Sequence, residues 1–82
     1  MIKIIEFYSP TCVPCNIVDK KIKDYISKNP SIEYERINAV DHPEYGIMGT
    51  PHLRLLKDNE IVMEGHYVNP NPIFNKIQEL QN

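Results

Sequence analysis

An 82-residue chain must rely on one small hydrophobic core, which supplies net stability on the order of a few kcal/mol. Its charges nearly cancel, at a formal net charge of -2 with no basic stripe or tail, so nothing grips a phosphate backbone by counterion release and nucleic acid is excluded as a partner. No apolar run approaches the length of a membrane span and Met1 to Glu6 enters a strand pattern without a basic leader, so the expectation is a single domain over residues 1–82 in the reducing cytoplasm, with no membrane partner.

Ile2 to Tyr8 is an apolar run broken by Lys3 and Glu6, short and rich in β-branched residues, which predicts a central strand covered at least partly on both faces. Ser9-Pro10-Thr11 is a turn. From Cys12 to about Lys28, Val18, Ile22, Tyr25 and Ile26, joined by Ile17, recur at helical spacing, with Asp19, Lys20, Lys23 and Asp24 mostly toward solvent. Asn29-Pro30 ends this helix, because the residue before a proline is pushed out of the α region. Ile32 to Ile37 predicts a second strand, with Ile32 and Tyr34 on one face and Glu33 and Glu35 on the other. Arg36 followed by Ile37 interrupts that parity and leaves the register open. A helix between two strands fits a right-handed crossover with parallel pairing.

Asn38 to Tyr45 reads as a loop or one short helix, and Gly46-Ile47-Met48-Gly49 is too glycine-rich for a regular element before Thr50-Pro51. His52 to Leu56, the polar turn Lys57-Asp58-Asn59-Glu60, and Ile61 to His66 predict an antiparallel hairpin. Its turn lacks the Asn-Gly or Asp-Gly pair that would fix its type. Asn69-Pro70-Asn71-Pro72 opens a final helix, with an asparagine as cap and a proline in the first turn, and Ile73, Phe74, Ile77 and Leu80 form its apolar face. The order is β-α-β, short helix, β-β-α: an α/β fold with a four-stranded mixed sheet, most simply covered by helices on both sides.

The two cysteines, Cys12 and Cys15, stand where the first strand hands over to the first helix. Two intervening residues in a first helical turn let the sulfurs reach bonding distance, and in a reducing compartment such a pair is more naturally catalytic than structural. A thiolate at a helix N-terminus faces unpaired N–H groups and the positive end of the dipole, which lowers its pKa, so Cys12 is expected to attack. Cys15, one turn further in, is expected to be less exposed and to resolve. Pro14 agrees, because its missing N–H costs nothing in a first turn. The competing readings are two inert buried thiols, or a redox-inactive assembly protein in which two copies share a metal through their cysteines. A zinc site within one chain is not expected, since there is no second cysteine pair and His42, His52 and His66 lack ligand spacing. No cofactor is implied.

The chain resembles the thioredoxin superfamily in Phe7 through Cys15, in Arg36-Ile37-Asn38 with Pro43 beyond, in Tyr45-Gly46-Ile47 leading through Gly49 to Thr50-Pro51, in the Lys57 to Glu60 turn, and in Gly65. The resemblance implies a short thioredoxin/glutaredoxin-like protein, a thioredoxin fold lacking the N-terminal strand and helix, acting as a monomer on disulfide-containing protein substrates. It implies a cis bond at Pro51 facing the cysteines, with Thr50 offering its backbone to an extended substrate and its hydroxyl to Cys12. Glu6 matches a buried acid that relays a proton to or from Cys15, its pKa raised by desolvation. Gly65 leaves room for substrate near the Pro51 loop, and Tyr8, Pro10 and Pro14 shape the rim.

The departures are Thr11 where thioredoxins carry a tryptophan, Val13 for the glycine inside the pair, Tyr8 at the other tryptophan position, and Lys20 at a helix-kinking proline. They imply a different partner set. Arg54, inside an otherwise apolar strand, points to a sheet face open to solvent or a partner. Two electron donors are implied. A flavoprotein reductase of thioredoxin reductase type is favoured by the Thr50-Pro51 loop and Glu6. Glutathione is favoured by chain size, although Gly65-His66-Tyr67 does not supply the Gly-Gly and polar helix cap that would hold its carboxylate.

Overall fold

The structure is a computed structural model that describes residues 1–81. The chain runs β1 (Ile2–Tyr8), α1 (Val13–Lys28), β2 (Glu33–Asn38), a 3-10 turn (Pro43–Tyr45), β3 (His52–Lys57), β4 (Glu60–His66) and α2 (Asn71–Gln81). The four-stranded sheet has the order β2-β1-β3-β4. β1 pairs parallel with β2 through the α1 crossover and antiparallel with β3, which pairs antiparallel with β4.

Alternation along β1 sends Ile2, Ile4 and Glu6 to one face and Lys3, Ile5 and Phe7 to the other. On the first face Ile2 and Ile4 join Leu53 and Leu55 of β3, Val18 and Ile22 of α1, Ile32, and Ile73 and Ile77 of α2 in one core. Both helices lie on this face. The Tyr25 ring of α1 stacks on Phe74 of α2 at 4.0 Å between centroids, and Gln78 donates to the Tyr25 hydroxyl at 3.1 Å.

The expectation of helices on both sides is therefore corrected. Residues 39–50 would have to supply the second layer, yet their only helical turn, begun at Pro43, ends when Gly46 turns left-handed at φ 66°. The face beneath carries ion pairs, Lys3 with Glu35 at 2.7 Å and Arg54 with Glu64 at 3.3 Å. Phe7 is buried there between the Tyr45 ring and the Arg54 guanidinium, each 5.1 Å away.

The apparent parity break in β2 is not a register break. Pairing runs without interruption from Lys3 opposite Glu33 to Tyr8 opposite Asn38, so Arg36 shares the helix-covered face with Tyr34, and Ile37 is buried on the other. Cys12 is the N-cap of α1 and Asn29 its C-cap. Ile17 does not join the core and is 52% exposed, because it sits a quarter-turn from Val18, on the strip it shares with Val13. The hairpin turn is made by Asp58 and Asn59, both left-handed at φ 52° and 69°, the type I′ geometry that Asp and Asn tolerate without glycine. At α2 the Asn69 side chain accepts from the Asn71 N–H at 3.0 Å.

Ile22→Ala should cost about 2–5 kcal/mol of unfolding free energy and Ile17→Ala within about 0.5 kcal/mol of nothing, measured by urea denaturation; equal losses would refute this division of the helix.

Candidate active site

The site is built at the β1–α1 junction. The Cys12 N–H donates to the Ser9 carbonyl at 3.1 Å, closing the Ser9-Pro10-Thr11 turn and aiming the helix start back over the strand end. Cys12 then caps the helix with sulfur: its Sγ accepts from the Cys15 N–H at 3.2 Å. The two cysteines form a disulfide with their Cα atoms 5.3 Å apart. Cys15 is fully buried and Cys12 half-buried, while Val13 and Pro14 between them are exposed at the helix tip. Only the first sulfur is open to an incoming group.

The Thr50-Pro51 peptide is cis, and Pro51 is fully buried. The Thr50 hydroxyl goes to Ser9 Oγ at 3.4 Å, rather than to the Cys12 sulfur. Ser9 thus links both halves of the site, touching Cys12 through its carbonyl and Thr50 through its hydroxyl. Sequence reasoning used it only as a turn residue. A groove of about 290 Å³ opens here, lined by Ser9, Ala39, Val40, Met48 and Thr50 among others. Val40 and Met48 are exposed beside it.

Glu6 is fully buried. Its Oε1 accepts from Arg36 Nε at 2.7 Å and stands 3.1 Å from the Tyr34 hydroxyl. Its Oε2 is buried with no partner among the described residues, as is Arg36 Nη2. Burial pushes the Glu6 carboxyl above its ordinary value, opposed by the Arg36 hydrogen bond and charge and by Tyr34. The Arg36 guanidinium lies over the Tyr8 ring at 4.2 Å, which ties Tyr8 to this cluster. Asp19 completes it from α1. Burial raises the Asp19 carboxyl, but hydrogen bonds from Tyr34 and Lys23 and the charge of Arg36 outweigh it and hold the pKa low.

Tyr34, Arg36 and Asp19 were not foreseen as site residues. The signal was present: a carboxylate in a central strand needs a cation, and Arg36 is where β2 departs from simple alternation. Gly65 pairs with Leu53 in the sheet, and a Cβ there would stand 3.1 Å from Cε2 of Tyr67, so the glycine makes room for that ring. His52 points away to the open face, where it meets Glu64 at 3.0 Å. Among the described residues no three His, Cys, Asp or Glu side chains stand together to hold a metal, and no helix is long and apolar enough to cross a membrane.

No protein-family model matches the sequence. A curated relative, Thioredoxin-2 of Pyricularia oryzae, is 30% identical over an alignment of 71 residues that covers 82% of this chain; the chain spans 42% of that relative's length. Among solved structures, thioredoxin of Fasciola hepatica superposes with a TM-score of 0.83 at 18% identity, covering 95% of this chain and 79% of its own. Mitochondrial thioredoxin 3 of Saccharomyces cerevisiae, in its oxidized form, gives a TM-score of 0.83 at 21% identity, with 95% and 77% covered.

A raised Glu6 pKa means that the folded state holds this proton more tightly than the unfolded chain, whose Glu titrates near 4.5. Its contribution to stability is complete below that value and is lost as pH rises through the folded pKa. Urea titrations from about pH 4 to about pH 8 should show the wild type losing stability relative to Glu6→Gln as pH rises, then levelling. Parallel curves would reject the buried, proton-holding carboxyl.

Proposed function

We propose, for a chain that has a thioredoxin-superfamily fold in a short thioredoxin- and glutaredoxin-like form, that it is a thiol-disulfide oxidoreductase reducing disulfide-containing proteins. The observation that carries this is the asymmetry of the pair: Cys12 half-exposed at the helix cap, Cys15 buried one turn inside and already bonded to it. In the reduced protein the Cys12 thiolate attacks a substrate disulfide, forming a mixed disulfide and releasing the first substrate sulfur. Cys15 then attacks the Cys12 sulfur, closes the internal disulfide and releases the second substrate thiolate. The Cys15 N–H, 3.2 Å from Cys12 Sγ, favours the negative charge on that sulfur at each stage. Glu6 accepts the proton of Cys15 in the second step.

The substrate lies as an extended segment against Thr50 and Pro51, with the groove beside Val40 and Met48 taking apolar side chains. The chain follows the thioredoxin fold from its second strand onward, a reading supported by its spanning 79% and 77% of the two solved thioredoxins. It acts as a monomer in the cytoplasm, where a reducing environment returns the pair to the dithiol. The electron donor is a flavoprotein reductase of thioredoxin reductase type. The residues of the Thr50-Pro51 loop and Glu6 support that choice over glutathione.

Insulin reduction run in parallel with thioredoxin reductase and NADPH, and with glutathione, glutathione reductase and NADPH, should proceed in the first mixture. Cys12→Ser should abolish it, and Cys15→Ser should accumulate a mixed disulfide visible by mass spectrometry. Turnover with glutathione alone would replace the donor, and turnover by Cys12→Ser would overturn the mechanism.

A further inference from the structure

Glu6 and Asp19 reach one phenol from different elements, β1 and α1. The Tyr34 hydroxyl lies 2.6 Å from Asp19 Oδ1 and 3.1 Å from Glu6 Oε1, and it has one proton to give. It can donate to one carboxylate only. The other contact is favourable when that second carboxyl carries a proton and donates to the phenol oxygen. Arg36 does not relieve the conflict, because its Nε lies 2.7 Å from Glu6 Oε1 and 3.4 Å from Asp19 Oδ1, one cation between two acids. With both carboxyls ionised, Lys23 offsets Asp19 from the solvent side at 3.1 Å, which leaves Arg36, shared with Asp19, as the one cation within reach of the wholly buried Glu6.

The groups facing Glu6 are few. On β2 they are Tyr34 and Arg36; on β3 its partner is the apolar Leu53. On α1 it is Asp19, with Lys23 reaching its outer oxygen at 3.1 Å; Cys15 is fully buried one turn before Asp19 on the same helix.

We propose that Glu6 and Asp19 share one proton across the Tyr34 hydroxyl, and that Tyr34 and Asp19 are positioning residues that govern when Glu6 can take the proton of Cys15. The second half rests on the reductase reading above; the shared proton is a property of the folded chain. In the resolving step the Cys15 S–H bond breaks as Cys15 bonds to the Cys12 sulfur. The bond from Cys12 to the substrate sulfur breaks, and that sulfur leaves with the electron pair as a thiolate. The substrate is reduced and the cysteine pair oxidised. The Cys15 proton goes to Glu6, which must be a carboxylate to receive it. Tyr34 makes it one, accepting the Glu6 proton while passing its own to Asp19, and from Asp19 a proton leaves to water. Burial holds the Glu6 carboxyl pKa up while Asp19 is held low, so the shared proton rests on Glu6.

Carbon-13 NMR titration of the side-chain carboxyls in the oxidised protein tests the first half without any activity. Glu6 should titrate in two steps coupled to Asp19, and Asp19→Asn should collapse them to one step at lower pH. A Glu6 curve unchanged by Asp19→Asn overturns the shared proton. Single-turnover reduction of a disulfide substrate by dithiol-reduced protein, followed against pH, tests the second half. Tyr34→Phe, a conservative change, should move the pH profile and slow turnover about tenfold, and neither Tyr34→Phe nor Asp19→Asn should add to Glu6→Gln. Profiles unmoved by both variants overturn the positioning role. A wild type without turnover overturns the reductase reading and the positioning role together, while the coupled titration stands or falls by NMR alone.

Discussion

A carboxylate in the middle of the central strand sets the terms for everything packed around it. Left alone, an ionised Glu6 at that depth would cost several kcal/mol, so the position opposite it on β2 must supply a cation turned inward. Arg36 does this across the parallel pair, and pinning it to Glu6 also pins the register of β2. Arginine suits the place better than lysine, since its flat guanidinium gives an N–H to Glu6 while lying over the Tyr8 ring at 4.2 Å. Replacing such a buried pair by apolar side chains is commonly neutral or stabilising. Stability alone therefore does not account for its presence, and the proposed function supplies another reason for it.

The second constraint is that one face of the sheet receives both helices. That concentrates most of the buried aliphatic side chains into a single core, the economical solution for a chain this short. The segment that does not become a second helical layer is left to serve the site. After the 3-10 turn at Pro43–Tyr45 it runs through Gly46 and Gly49 to Thr50 and Pro51, placing the cis peptide beside the Ser9 turn. The bare face keeps to ion pairs, with Arg54 and Tyr45 covering Phe7.

Much of this was legible in the residues. Apolar periodicity located every strand and both helices within a residue or two, and the strand–turn–helix junction identified the cysteines and their unequal exposure. Three things were not legible, each for a physical reason. Periodicity says which side of an element is apolar, not which layer it joins, so the one-sided helix arrangement needed the Tyr25–Phe74 stack to reveal it. Ile17 is apolar and near the right spacing, yet a rotation of about 100° per residue carries it off the buried stripe. Asp19 looked like a solvated helix residue because charge is read as exposure. Its burial depends on Tyr34 and Arg36, which arrive from a strand beyond the crossover.

The site then has an inner and an outer half, with the disulfide between them. Outside, Val13, Val40 and Met48 are 68%, 67% and 100% exposed, and Thr11 and Val13 leave no large aromatic over the pair. Apolar contact of this kind attracts by area and imposes little direction, so on the proposed function orientation falls to the backbone of Thr50 beside Pro51. Inside, Glu6, Tyr34, Arg36 and Asp19 form a hydrogen-bonded polar group that the proposed substrate never touches. Cys15 belongs to the inner half and Cys12 to the outer. On the proposed function a partner meets one sulfur and protons are managed behind the other, which would separate recognition from proton transfer across a single turn of helix.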